Sequence, residues 1–190
     1  MNILVIDAQG GGIGKQLVAR IKKEYPSETV IAVGTNSIAT AAMIKAFKDG
    51  AAGNEVTEFY LQTMSIHGCL DCGGCRRKEK GSSEPCVQRD DMSQVFSAVK
   101  EADVVVFASP VYFWDITGTL KTAIDRLYAP LMNASAGSPK ETVLLMTSGG
   151  STIDHMLDWY KNFESWLKWK DIGTAMNDVE AARQIGSSIR

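Results

Sequence analysis

Residues 103–114, Asp-Val-Val-Val-Phe-Ala-Ser-Pro-Val-Tyr-Phe-Trp, are followed almost at once by residues 118–126, Gly-Thr-Leu-Lys-Thr-Ala-Ile-Asp-Arg. Val104, Val105, Val106 and Phe107 are four consecutive apolar residues, three of them β-branched, which suits a strand covered on both faces. Strands of that kind belong mostly to parallel sheets flanked by helices, and ligands of such sheets sit at the carboxyl ends of the strands. Ser109, Pro110, Val111, Tyr112, Phe113 and Trp114 therefore form a loop where a ligand is expected, ahead of a helix leading away. Three adjacent aromatics offer flat surfaces to a planar partner. The competing role for such a triplet is to plug the end of a core or to face another subunit.

Strand and helix signals alternate along the rest of the chain. Strands are expected at 2–7, 29–33, 55–60, 103–108, 142–147 and 171–176. Between them Ile13, Leu17, Val18 and Ile21 share one helical face, as do Leu120, Ile124 and Leu127, and Met156, Leu157, Tyr160, Phe163 and Leu167. Segments 37–48, 92–102 and 179–189 complete six helices. The pattern predicts a three-layer α/β sandwich around a doubly wound parallel sheet of about six strands. At 190 residues one domain is expected, with a substantial core. The longest irregular stretch, about residues 62–91, carries every cysteine of the chain.

Charge and composition narrow the function. A net charge of −2 and a pI near 5.7 supply no long-range attraction for nucleic acid or an anionic membrane. The start, Met-Asn-Ile-Leu-Val-Ile-Asp, lacks a basic segment and places Asp7 where a signal peptide needs apolar residues, so a cytoplasmic location is expected. In that reducing compartment, four cysteines crowded into residues 69–86 point to metal binding or redox chemistry rather than structural disulfides. The aromatic-rich helix at 153–169, with Trp159, Trp166 and Trp169, suggests a homo-oligomer interface, with a wide core-facing stripe as the alternative. His67 and His155 have no nucleophile or carboxylate partner in the local sequence and read as ordinary polar residues.

The stretch Ser-Pro-Val-Tyr-Phe, followed by Gly-x-Leu-Lys-x-x-Ile-Asp-Arg, resembles the flavodoxin-like NAD(P)H-dependent FMN reductases, a group that includes the iron-sulfur flavoproteins. The resemblance spans about residues 46–190. It implies that residues 109–114 lie against the isoalloxazine ring of FMN. Thr147, Ser148, Gly149 and Gly150 match the family's second ring-contacting loop, where small residues let backbone N–H groups approach the polar edge of the ring.

Cys69, Cys72 and Cys75 are separated by two-residue gaps that let three thiolates converge on one small centre, and Cys86 can arrive from a turn marked by Gly81 and Pro85. Four thiolates suit both a [4Fe-4S] cluster and tetrahedral zinc. Iron-sulfur flavoproteins carry a compact cysteine motif at the corresponding place, and here it is followed by Asp90-Asp91-Met92 as in relatives. The departure from the family pattern is the ten residues, 76–85, between the third and fourth cysteines. Reduced thiols in a loop that closes the flavin pocket or meets another subunit are the alternative to a bound metal.

An FMN site needs a phosphate cradle of backbone N–H groups at a helix N-terminus. Two loops compete for that role. The first, after the first strand, is Gln9 with Gly10, Gly11, Gly12, Ile13, Gly14 and Lys15; its glycines allow close backbone approach and Lys15 adds charge. The second, Gly34 with Thr35, Asn36, Ser37 and Thr40, resembles a shortened form of the hydroxyl-rich loop of FMN reductases, without their Pro-Arg. A sheet ordered 3-2-1-4-5-6 sets the glycine loop beside Ser109 at the switch point; a flavodoxin order with the first strand at an edge favours the Thr35 loop.

Residues 1–45 resemble a different group, a small Rossmann-like bacterial family of uncharacterised function, through Asp-Ala-Gln-Gly-Gly-Gly-Ile-Gly-Lys and Val-Gly-Thr-Asn-Ser-Ile-Ala-Thr-Ala-Ala-Met. The change of resemblance within the second helix suggests a join of two α/β folds, natural or engineered. The expected function is an FMN-binding oxidoreductase that passes electrons from NAD(P)H to a flavin, a quinone or a protein, and no catalytic acid or base is required of the chain. The alternatives are a non-enzymatic electron carrier, or a scaffold whose cofactor site is partial or empty. A pyridine-dinucleotide enzyme is disfavoured, because Val33-Gly34-Thr35 stands where a ribose-binding Asp or Glu is expected.

Overall fold

The computed structural model describes residues 2–7, 29–34, 56–78, 84–132, 139–148, 154–176, 178, 181, 184 and 185, the first two strands through their backbone alone. Six strands, β1 (Asn2–Asp7), β2 (Thr29–Gly34), β3 (Val56–Tyr60), β4 (Val104–Pro110), β5 (Glu141–Thr147) and β6 (Lys170–Met176), form one sheet in the order β3-β2-β1-β4-β5-β6. The neighbouring strands pair in parallel throughout. Every expected strand is present, with ends displaced by no more than two residues. The expected helices at 92–102 and 153–169 are α1 (Met92–Glu101) and α3 (Asp154–Leu167), with α2 (Gly118–Met132) between them. The helices expected around Ile13–Ile21 and 37–48, and most of 179–189, lie outside the described residues.

β4 is the axis of the core. Val104, Val105, Val106, Phe107 and Ala108 are all buried, as a doubly covered strand requires. By the alternation of a strand, Val105 and Phe107 share one face, and both belong to the cluster built with Val95 and Val99 of α1, Leu120, Ile124 and Leu127 of α2, and Met156 and Tyr160 of α3. Phe107 meets Tyr160 and Phe163 edge-on at ring centroids 6.5 and 5.7 Å away. The described helices thus cover one face together. Much of the aromatic content of α3 is used there: Phe163 stacks on Trp159 at 5.6 Å, Trp169 is buried beyond the helix end, and Trp166 faces outward.

Two polar groups are buried behind this core. Lys140 donates from Nζ to the carbonyls of Lys100 and Ala102 and so caps the end of α1, at the cost of a pKa lowered by burial. Glu164 accepts the Thr142 hydroxyl, and burial pushes its carboxyl pKa up.

The sheet order fixes which loops meet. β1 lies against β4 with Asp7 opposite Ala108, and β5 lies on the other side with Thr147 opposite Pro110. The chain therefore leaves β1, β4 and β5 side by side at the carboxyl edge. Gly34 ends β2 opposite Tyr60 of β3, one strand further out. This is a topological switch point of a doubly wound sheet, where such folds bind ligands.

Candidate functional site

The loop leaving β4 is held by its own polar groups. Ser109, almost wholly buried, donates from Oγ to the Pro110 carbonyl at 2.8 Å and accepts the Thr117 backbone N–H at 3.1 Å, tying the start of the loop to its end. The Val111 N–H donates to the Thr147 carbonyl at 2.8 Å, so the two loops expected to contact the ring are joined directly. Tyr112 and Asp115 exchange both backbone hydrogen bonds, at 2.9 and 3.1 Å, closing a two-residue turn on Phe113 and Trp114.

That turn is unusual in its residues. Phe113 and Trp114 have φ of +50° and +63°, a pair of left-handed conformations that such turns normally give to Asn and Gly. Each costs on the order of 1–2 kcal/mol in a side chain other than glycine. No burial offsets the cost: Tyr112 is 51 % exposed, Phe113 94 % and Trp114 66 %. The turn thus combines backbone strain with three rings in solvent, at the carboxyl edge of the sheet. Strain of this kind gathers at ligand clamps. Asp115 fixes the far side by accepting the Ile116 N–H at 2.7 Å, and His155 at the start of α3 lies 3.6 Å from its carboxylate.

Of the remaining ring-loop residues, Thr147 ends β5 and Ser148 follows it, half-buried. Gly149 and Gly150, the glycine loop from Gly10 to Lys15, and Thr35, Asn36, Ser37 and Thr40 lie outside the described residues.

The second region is built from side-chain bonds across sequence. After β3 the chain makes a short turn at Leu61–Thr63 and runs irregularly to a second turn at Gly74–Arg77. Segment 84–91 returns alongside it: Gln88 donates to the Gly68 carbonyl at 3.1 Å, Asp90 accepts the His67 N–H at 3.1 Å, and Asp91 accepts the Ser65 N–H at 2.7 Å. Lys78 reaches across the base of the long loop to the carbonyls of Glu84 and Cys86. Lys78 thus ties the described ends of the stretch between the third and fourth cysteines to each other. Gly74 makes the packing possible, since a Cβ there would stand 2.5 Å from a Val87 methyl.

This folding brings Cys69, Cys72, Cys75 and Cys86 to the lining of one small hollow of ≈ 50 Å³, open to solvent, with Arg126 and Tyr128 of α2. Cys69 and Cys72 are exposed and Cys75 and Cys86 half-buried. The Asp71 N–H already donates to the Cys69 sulfur at 3.4 Å. Among the described residues no three metal-binding side chains are gathered at coordinating distance. Four thiols around one hollow, with a backbone donor on one sulfur, are a donor set that fits an iron-sulfur cluster. The exposed ring platform likewise fits the planar part of a flavin.

Arg126 and Asp90 join the cysteine region to α2. Their side chains are 1 % and 2 % exposed, and the guanidinium grips the carboxylate through both terminal nitrogens, at 2.7 and 3.0 Å. It also donates to the His67 carbonyl at 2.7 Å. Burial opposes the charge of both groups, yet each is held in its ionised form. The hydrogen bond to Arg126 and the His67 N–H outweigh desolvation and lower the Asp90 pKa, while Asp90 and the Cys86 sulfur raise that of Arg126. Sequence reasoning noted Asp90 and quoted Arg126 within the helix motif without joining them. His67, expected to be an ordinary polar residue, holds Asp90 and Arg126 through its peptide groups, and its exposed ring lies 3.6 Å from the Asp90 carboxylate. An arginine on the buried side of a helix, beside Ile124 and Leu127, was the available signal.

The fold and its loop-lined edge define a flavodoxin-like α/β protein. Solved structures share that architecture: one described as flavone reductase superposes with a TM-score of 0.62 at 17% identity, covering 100% of this chain and 62% of that one. An FMN-dependent NADH-azoreductase of Bacillus anthracis, in complex with FMN, gives 0.59 at 13% identity, with 99% and 95% covered. In sequence the chain is similar to iron-sulfur flavoproteins. It is 41% identical to one from Archaeoglobus fulgidus over 76 residues, 40% of this chain and 32% of the relative. It is 39% identical to one from Methanocaldococcus jannaschii over 79 residues, 42% and 38% of the two chains. With one from Methanosarcina thermophila the identity is 30% over 115 residues, 56% of each. The matched stretches thus span between a third and just over half of these relatives. Residues 2–68 match a family model described as Domain of unknown function (DUF3842), a stretch that runs past the change of resemblance expected near residue 45.

Proposed function

We propose that the chain is an FMN-binding oxidoreductase that takes electrons from NAD(P)H and passes them to a flavin, quinone or protein acceptor, with Cys69, Cys72, Cys75 and Cys86 holding a [4Fe-4S] cluster. The observation that carries the reading is the strained Tyr112–Asp115 turn, which keeps three aromatic rings in solvent at the switch point of the sheet. When bound, the cofactors supply the redox chemistry, hydride uptake by the flavin and one-electron transfer by the cluster. The chain supplies position: the Ser109 and Val111 bonds hold the platform, and the four thiols line one hollow. α2 begins beside the platform and carries Arg126 eight residues on, about 12 Å along its axis. One rigid element thus spans both centres.

The phosphate falls to the glycine loop after β1 in this reading, because β1 borders β4 and β2 lies one strand away. The single-domain organisation, the cytoplasmic setting and a homo-oligomer using the outward Trp166 belong to the same proposal.

An absorption spectrum of freshly purified, anaerobically handled protein tests it first, through flavin bands and a broad iron-sulfur shoulder. FMN titrated into the cofactor-free chain is expected to lose fluorescence at micromolar concentration. No quenching there sinks the flavin reading. Flavin binding without NAD(P)H oxidation, in the presence of an acceptor, would leave an electron carrier rather than an enzyme.

A further inference from the structure

The cysteine hollow has a cationic wall that none of the similarities assigns. Arg126 lies on that wall with Cys69, Cys72, Cys75 and Cys86, and the nearby Cys86 sulfur helps to raise its pKa. Its terminal nitrogens are committed to Asp90 and to the His67 carbonyl, while its Nε, buried, has no hydrogen-bond partner among the described residues. A buried donor left unmade costs about 1–3 kcal/mol, which marks it as available to a group not yet in place. A cluster held by four thiolates is anionic and becomes more so on reduction. Hydrogen bonds to its sulfurs and nearby charge set its potential.

The geometry points to Arg126 as the positioning residue of the thiolate site: clamped by Asp90 and the His67 carbonyl, it orients Cys86 toward the other three cysteines and offers Nε–H to the sulfur bound there. This rests on the iron-sulfur reading for its redox consequence but not for the contact itself. Asp90 makes the arginine rigid, so the cation is present before any cluster arrives. The same clamp ties segment 84–91 to segment 65–69, so the fourth cysteine is delivered by the segment whose Asp90 grips the charge.

The contact is tested in metal-free full-length protein carrying ¹⁵N-labelled arginine. The Arg126 Nε–H resonance, assigned by its loss in Arg126→Lys, is expected to shift on Cys86→Ser. A resonance indifferent to that substitution overturns the proposal. The redox role is tested after loading with iron and sulfide, using Asp90→Asn with Arg126→Gln, which removes the charges together and leaves a neutral pair able to hydrogen-bond. At fixed potential the ratio of reduced to oxidised cluster is expected to fall tenfold or more, equivalent to 59 mV for a one-electron couple. Arg126→Lys, which keeps the charge, is expected to recover part of that shift. An unchanged potential in the double variant overturns the tuning role. If the wild-type chain takes up no cluster while its Nε–H still responds to Cys86→Ser, the iron-sulfur reading fails and the Arg126–Cys86 contact stands.

Discussion

The aromatic loop at 109–117 and the cysteine segment at 65–91 both meet α2, yet they are held in opposite ways. The aromatic loop hangs from a strand buried on both faces and is shaped by bonds between near neighbours, Ser109 with Thr117 and Tyr112 with Asp115. The described residues of the cysteine segment form no regular strand or long helix and depend on contacts spanning 20 to 59 residues, those of Gln88, Asp90 and Arg126. The first region can tolerate loss of its exposed side chains because its scaffold lies elsewhere. In the second the binding residues and the scaffold are nearly the same groups.

Arg126→Met is expected to separate the two regions most sharply. It leaves Asp90 as a buried, unpaired carboxylate, and breaking a buried pair from one side costs about 3–5 kcal/mol. Urea unfolding should show a loss of that size, and hydrogen exchange should show residues 65–69 and 84–91 released before the loop at 109–117. Equal release of both would mean that the aromatic loop also relies on the clamp. Asp90→Asn, which keeps a hydrogen-bonding group, should cost less.

Acid probes the same difference without a mutation. The Asp90 pKa is lowered by its bond to Arg126 and the His67 N–H, against desolvation, so its contribution is present above the ordinary carboxylate value near 3.8 and is lost as pH falls through the lower folded-state value. Glu164 acts with the opposite sign: burial raises its pKa, so its contribution is present below about 4.5 and is lost as pH rises through the folded-state value. Melting curves across acidic pH should lose their Asp90 slope in Asp90→Asn, whereas Glu164→Gln should gain stability relative to wild type as pH rises. A slope unchanged in Asp90→Asn would assign the acid sensitivity to other carboxyls.

Ser109→Ala should have a smaller and local effect. It removes one acceptor and one donor inside the aromatic loop and leaves the Thr117 N–H unsatisfied, about 1 kcal/mol or somewhat more. Exchange should rise at Thr117 and Val111 with the cysteine segment unmoved, and FMN affinity should fall in step. A protein that unfolds globally on this substitution would contradict the local construction of the loop.

The same contrast explains what was legible in sequence. β4 announced itself because a doubly covered strand needs consecutive apolar residues, while counting six strands under right-handed crossovers left two sheet orders, of which the structure has 3-2-1-4-5-6. Ser109 and the aromatics were legible because the fold fixes where a strand's loop must lie. The turn itself was not, since Phe-Trp carries none of the Asn-Gly chemistry that signals a two-residue turn. The Arg126–Asp90 clamp was illegible for a different reason: its partners are 36 residues apart, and local pattern holds no information about pairs at that range. The ten residues between the third and fourth cysteines depart from the family spacing, and the bond from Lys78 to the Cys86 carbonyl, which brings the two ends together, leaves no mark in the spacing.

Phe113→Gly sets stability against binding in the aromatic loop. The side chain is 94 % exposed, so its removal forfeits almost no packing, and glycine adopts the φ of +50° without the penalty that phenylalanine carries. Relief of roughly 1–2 kcal/mol is offset by the larger entropy of glycine in the unfolded chain, roughly 0.5–1 kcal/mol, leaving a net gain of up to about 1.5 kcal/mol. The melting temperature should therefore rise slightly while FMN affinity falls. That pair of signs is what distinguishes a ring platform from a packing element. A residue whose role is to fill space loses stability when truncated, and one kept in a strained pose for a ligand gains it. If Phe113→Gly destabilises the protein, the loop packs against something in solution, such as a second copy of the chain, and its exposed rings serve assembly instead of the flavin.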